Sequence, residues 1–170
     1  YSCETLINFI EGFDINTPIV FVNNEIYDKT NNIYSLYLAK DYLESDDTLL
    51  LESDLIFENS ILQQLVNDKR ESLALVDKYE SWMDGTCLIV GENDEIESFV
   101  PGRKFDFTNS NNYYKTVNIY KFSKDFSRRY YVPFLEAYSK ALGNNEYYEE
   151  VLRIITILDN PIIKAKKLNG

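Results

Sequence analysis

Glu52-Ser53-Asp54 stands directly behind the apolar run 48–51 and in front of a second one, Leu55-Ile56-Phe57. A carboxylate between two buried runs has to be paired, hydrogen bonded or metal bound. A Mg²⁺ ion takes hard oxygen ligands, often one or two carboxylates plus substrate phosphates, and Asp54 suits that role. The alternative for Asp54 is a capping or turn aspartate before the next helix. A second constellation is Asp77-Lys78-Tyr79 with Met83-Asp84-Gly85-Thr86. Asp84-Gly85 has turn chemistry before a strand, so Asp84 is either a site carboxylate or a turn former. Trp82 and Met83 either wall a pocket or cover the core.

Lys115 heads the run Thr116-Val117-Asn118-Ile119. Strand alternation puts Lys115 and Val117 on one face and Thr116 and Asn118 on the other. Beside a metal site a lysine neutralises phosphate charge. Elsewhere it is a solvated strand end. Asn31-Asn32 offers a helix cap, and also an amide able to recognise a base or head group. The pairs Tyr113-Tyr114, Tyr130-Tyr131 and Tyr147-Tyr148 are either core residues or stacking surfaces, and a cation-binding cage is open to them. Lys164, Lys166 and Lys167 read as a solvated terminal patch.

These groups need elements to hold them. Residues 3–10 read as a helix stopped by Gly12, and residues 18–23 (PIVFVN) as a buried β-branched strand. Residues 31–43 and 59–66 have helical spacing, and residues 48–51 and 72–76 are core strands. Residues 85–90 and 95–100 form a hairpin around the turn 91–94, and residues 115–122 form a strongly β-branched strand. Residues 124–142 are helical with Pro133 a start, kink or break, Gly143 ends them, residues 146–158 are helical, and residues 162–166 close as a strand. The alternation of helix and strand predicts an α/β layered fold with a mainly parallel sheet, whose ligand lies at the carboxyl ends of the strands.

Composition narrows the chemistry. The chain has 170 residues, 45% of them apolar, and a net charge of −11. That suits one folded domain, and it opposes nucleic acid or an anionic membrane surface as a partner. With no His, neither a His-assisted Ser or Cys nucleophile nor an imidazole zinc site can be built. Cys3 and Cys87 read as free thiols in a reducing, cytoplasmic setting, with a single disulfide the alternative. No apolar run approaches the ~20 residues that span a membrane. Tyr1 is not expected to be the start of the gene product.

The ordered set Asn31-Asn32-Ile33-Tyr34-Ser35-Leu36-Tyr37, Glu52-Ser53-Asp54-Leu55-Ile56-Phe57, Asp77-Lys78-Tyr79, Trp82-Met83-Asp84-Gly85-Thr86 and Lys115-Thr116-Val117-Asn118-Ile119-Tyr120 resembles the MobA-like nucleotidyltransferases. Within them it is most similar to the bacterial choline-phosphate cytidylyltransferase branch. The resemblance implies a Rossmann-like, GT-A type fold. It also implies Mg²⁺-dependent transfer of a nucleotidyl group, CMP from CTP, to a small phosphorylated or phosphonylated acceptor such as phosphocholine, with release of pyrophosphate. By resemblance Asp54 is the metal aspartate. Asn32, with Asn31 and Tyr34, lies in the segment lining the nucleotide and acceptor pocket. Asp84 and Lys115 match positions facing the acceptor side, Lys115 as a catalytic residue beside Asp54, and Trp82 is a further substrate-binding candidate. Such an in-line displacement by an ionised phosphate needs alignment and charge neutralisation, not a histidine base.

The resemblance also sets departures. The family's glycine-rich loop, Arg and Pro-Lys pair have no counterpart in this sequence, which stops at Asn169-Gly170, just before the family's Glu-Ile-Asp segment would be due. The expectation is a single domain over residues 1–170, cut short at both ends and inactive by itself, with room for fused domains in the full gene product. Two other classes stay open: a GT-A type glycosyltransferase, which also sets a carboxylate and metal behind a central strand, and a noncatalytic binding or assembly domain.

Overall fold

The computed structural model describes residues 3–158 and 163–168. The chain opens with α1 (Cys3–Glu11), then α2 (Asn32–Leu38), α3 (Lys40–Ser45), β1 (Thr48–Leu51), α4 (Asn59–Val66) and β2 (Leu73–Lys78). It continues with β3 (Cys87–Val90), β4 (Ile96–Val100), β5 (Tyr113–Phe122), α5 (Lys124–Phe126), α6 (Val132–Ala141), α7 (Glu149–Ile155) and β6 (Lys164–Lys167).

One sheet runs β4-β3-β5-β2-β6, with β1 also on β5. β5 is its spine. One edge of β5 carries β2; the other is shared between β3, opposite Tyr113 to Lys115, and β1, opposite Ile119 to Phe122. β3 therefore continues the line of β1, and the two part opposite Asn118.

Strand alternation divides the core between the sheet's two faces. Leu73 and Leu75 of β2 pack with Leu65 of α4 and Ile119 of β5 on one side. Ala74 and Val76 point to the other side, where they join Ile33 and Leu36 of α2, Leu135 of α6 and Leu152 of α7. α4 forms where the sequence predicts it, because Ile61, Leu62 and Leu65 recur at helical spacing. Asn31 caps α2, its Oδ1 accepting from Asn32 N–H at 2.8 Å. Pro133 starts a helix: it lies in the first turn of α6, after a π-turn over residues 127–131.

The α/β layering stands; the mainly parallel pairing does not. Among the described residues β2 with β6 is parallel, while β1–β5, β2–β5, β3–β5 and β3–β4 are antiparallel. Alternating elements imply parallel neighbours only if each strand returns to the side of the last one. Here β5 enters the middle of the sheet reversed.

Residues 18–23 form no strand. Val20 is 60% exposed, and no strand among the described residues pairs with the segment. A β-branched run becomes a strand only against a neighbour that covers it. The basic tail is not a loose solvated patch either. Lys166 meets Asp68 at 3.3 Å and Lys167 meets Asp94 at 3.0 Å, and Arg70 bridges both aspartates. Arg70 holds the Asp68 carboxyl well below the usual carboxylate range, and this cluster ties β6 to the sheet. The predicted strand start at Ile162 lies outside the described residues. Cys3 and Cys87 are free thiols. No helix of the described residues is long and apolar enough to cross a membrane.

Candidate active site

Where β1 and β3 separate, their ends bond to β5 on either side of Asn118. Glu52 N–H donates to Asn118 carbonyl at 3.4 Å, and Thr116 N–H donates to Thr86 carbonyl at 3.2 Å. Opposite, β2 spends one residue, Leu75, on the span that Val117, Asn118 and Ile119 occupy, so β5 bulges there. Asn118 takes up the extra length with φ of 56°, a conformation rare outside glycine.

The bulge turns side chains into the gap. Asn118 Nδ2 donates to Glu52 Oε2 at 2.7 Å. Asn118 Oδ1 lies 2.9 Å from the Thr116 hydroxyl, which also sits 3.2 Å from the Thr86 carbonyl. Lys115 Nζ donates to the Thr116 carbonyl at 2.6 Å. It packs under Gly85, where a β-carbon would meet Nζ at 3.3 Å and where φ of 98° also favours glycine. Burial pushes the Lys115 ammonium below its ordinary value, against the pull of Cys87, Glu149, Glu52 and Asp84.

Two cavities open on this seam. One, of about 470 Å³, is lined by Glu52, Asp84, Asn118, Tyr147, Glu149 and Arg153 among others. The second, of about 550 Å³, is lined by Asn32, Leu50, Glu52, Asp54 and Tyr147 among others. Glu52 and Tyr147 belong to both. Arg153 in the first is already paired with Glu150 at 2.8 Å, so Glu52, Asp84 and Glu146 of its lining leave a negative field.

Glu149, at the start of α7, is 6% exposed. Its Oε1 lies 3.5 Å from the Tyr120 hydroxyl, while its buried Oε2 has no partner among the described residues. Burial pushes the carboxyl up to about 7, with Glu52 adding and Lys115 opposing. The fold thus holds a proton on Glu149 that the unfolded chain releases near 4.5. Stability from this group is full below about 4.5 and is lost as the pH rises through about 7. Glu149→Gln should remove that loss. Melting temperatures of the two proteins should diverge as the pH rises from 4.5 to 7, with the variant holding up better at the upper end. Parallel melting curves across that window would contradict the assignment.

The remaining predicted residues divide. Asp54 is exposed at the rim of the second cavity, and Asp84 at the rim of the first, its Oδ1 accepting from Gly85 N–H at 2.7 Å. Asn32 lines the second cavity, but its Oδ1 already accepts from Tyr148 N–H at 2.9 Å. Asn31 is occupied as the α2 cap, and Tyr34 stacks on Tyr37 at 6.0 Å rather than lining either cavity. Trp82 is 75% exposed and donates to Glu80 at 2.7 Å; it walls neither cavity and covers no core. Its loop, held by short-range bonds, leaves it in solvent. Tyr147, one of the tyrosine pairs read from the sequence, lines both cavities, while Glu149, Asn118 and the placement of Glu52 are new. The one signal for Asn118 was a turn-favouring residue inside a β-branched run.

The fit of a Mg²⁺ ion can be tested on these groups. Among the described residues no three acidic or thiol side chains converge as a ready-made metal cage. Glu52 keeps Oε1 outside its bond to Asn118, and Asp54 is exposed beside the same cavity. Mg²⁺ commonly takes one or two carboxylates and completes its shell from phosphates and water, so the pair fits that ion.

Comparison with known proteins bears on this geometry. No family model matches the chain. It is 28% identical over 135 residues to the CMP-5′-(3-aminopropyl)phosphonate synthase of Streptomyces rubellomurinus, covering 77% of this chain and 21% of that protein. It is 32% identical over 87 residues to the CTP:phosphoglutamine cytidylyltransferase of Campylobacter jejuni, covering 48% of this chain and 32% of that protein. The chain thus spans a fifth to a third of the curated relatives it matches. Among solved structures, the CTP:phosphocholine cytidylyltransferase of Streptococcus pneumoniae superposes with a TM-score of 0.64 at 18% identity, over 98% of this chain and 66% of that one. The inositol-1-phosphate CTP transferase of T. maritima superposes with a TM-score of 0.65 at 21% identity, over 96% of this chain and 60% of that one. The chain has the Rossmann-like fold of these nucleotidyltransferases, with its split sheet and paired cavities set on it.

Proposed function

We propose that this chain forms the nucleotide- and acceptor-binding cavities of a cytidylyltransferase of the MobA-like type. The reaction moves CMP from CTP to a small phosphorylated or phosphonylated acceptor, with phosphocholine the first candidate. An acceptor oxygen attacks the α-phosphorus of CTP, the bond to the bridging oxygen of the β-phosphate breaks, and pyrophosphate leaves. The observation that carries this reading is the meeting of two cavities at Glu52 and Tyr147, on a fold shared with cytidylyltransferases.

In this reading the cavity of Asn32 and Asp54 takes the nucleotide, and the cavity of Glu149 takes the acceptor. Asp54 and Glu52 would hold Mg²⁺, which when bound offsets phosphate charge. Lys115 sets a positive charge behind Gly85, near where two anionic groups must approach each other. The acidic lining and the exposed ring of Tyr147 suit an acceptor with a cationic head, as both aminopropylphosphonate and phosphocholine have.

A donor screen on the full-length protein tests the class. With Mg²⁺ and phosphocholine present, CTP should be consumed at least tenfold faster than any nucleotide sugar. Turnover of a nucleotide sugar in preference to CTP would favour a glycosyltransferase. A folded protein that binds neither would favour a binding domain.

A further inference from the structure

We infer that Asn118 is a positioning residue, which fixes Glu52 at the wall shared by the two cavities so that one carboxylate faces both occupants. The inference rests on the proposed transfer reaction and adds a residue to it.

Three observations meet at Asn118. Its backbone is left-handed inside a ten-residue strand, a costly conformation for a residue with a β-carbon. Neither β1 nor β3 pairs with it in register, because the two strands end on either side of it. That side chain is committed at both ends, to Glu52 Oε2 at 2.7 Å and to the Thr116 hydroxyl at 2.9 Å. Without the bulge, residue 118 would alternate regularly and its amide would not be set against the end of β1. With it, the Glu52 carboxylate cannot swing to a single cavity without breaking a charge-assisted hydrogen bond. Glu52 carries a negative charge into a seam where phosphates must meet, so its orientation decides whether it binds a cation usefully or only repels.

Two substitutions separate positioning from packing. Asn118→Gly relieves the backbone, because glycine accepts positive φ, and it deletes the amide. Its melting temperature should equal or exceed that of the parent, while kcat for CMP transfer falls about 10- to 100-fold with smaller changes in KM for both substrates. Asn118→Asp keeps the shape but places a second carboxylate against Glu52. Such a pair takes up a proton more readily than either acid alone, so stability and residual activity should both recover as the pH falls from about 7 to 5. The glycine variant should show no such recovery.

Transfer within twofold of the parent by Asn118→Gly would overturn the role. So would stability profiles that coincide for the aspartate and glycine variants, because a residue that only packs would give neither difference. No transfer by the parent protein would overturn the proposed reaction, and with it the part given to Glu52. The stability profiles would then still decide whether Asn118 holds Glu52.

Discussion

Asp54→Ala should lower CMP transfer by about 10²- to 10³-fold and leave the melting temperature within the spread of repeat measurements. Asp54 is exposed and makes no ion pair among the described residues, so the fold loses nothing with its carboxylate. Substitutions of that kind shift stability by no more than about 0.5 kcal/mol. The position lines the same cavity as Glu52 and Asn32, and in the proposed reaction the variant loses a metal ligand there. The loss should fall on kcat and be partly restored by raising Mg²⁺, and isothermal calorimetry should show weaker binding of the Mg²⁺–CTP complex. Equal turnover by parent and variant would remove Asp54 from the site.

Lys115→Met should cost about 10²-fold in kcat/KM, through a different route. Lys115 is a half-buried cation that Cys87, Glu149, Glu52 and Asp84 pull toward its charged form. Methionine keeps much of the stem and removes the charge, so the acidic seam is left without compensation as phosphates approach. The fold should tolerate this. Burial already disfavours the charged ammonium, so removing it relieves a desolvation cost. Arginine should not restore activity, since Nζ lies within 3.3 Å of the space above Gly85 and a guanidinium is larger. Steady-state kinetics with each substrate varied in turn would check both variants. A Lys115→Met protein with unchanged kcat/KM would leave Lys115 as a structural strand residue.

Local patterns were legible wherever one element decides them. The run 48–51 and the helix 59–66 form as read, because apolar clustering and helical spacing need only a face to bury. The sheet's direction was not legible. Whether β5 lies parallel or reversed depends on how the chain crosses from one strand to the next, and no residue within β5 records that. Residues 18–23 show the same limit: their β-branched composition describes a surface that suits pairing, and pairing takes a second strand.

At the site, the acidic motif behind β1 lines the seam, Glu52 in both cavities and Asp54 in one. The motif alone singles out Asp54, the outer carboxylate, whereas the one fixed by hydrogen bonding is Glu52. That bond arises from a bulge 66 residues away in sequence. Glu149 was hidden for another reason. Glu149-Glu150 opening a helix looks like ordinary dipole complementation in solvent. Its burial, with the Tyr120 hydroxyl 3.5 Å from Oε1, is set by the tertiary packing. Trp82 misled in the opposite direction, as a large aromatic in a loop with no core to cover.

The central claim is tested most directly by ³¹P NMR of the full-length protein with CTP, Mg²⁺ and phosphocholine. The account predicts that CTP resonances decay only when the acceptor is present. Pyrophosphate and a CDP-linked phosphodiester should appear in equal amounts. Unchanged CTP, or orthophosphate released at the same rate without acceptor, would contradict it.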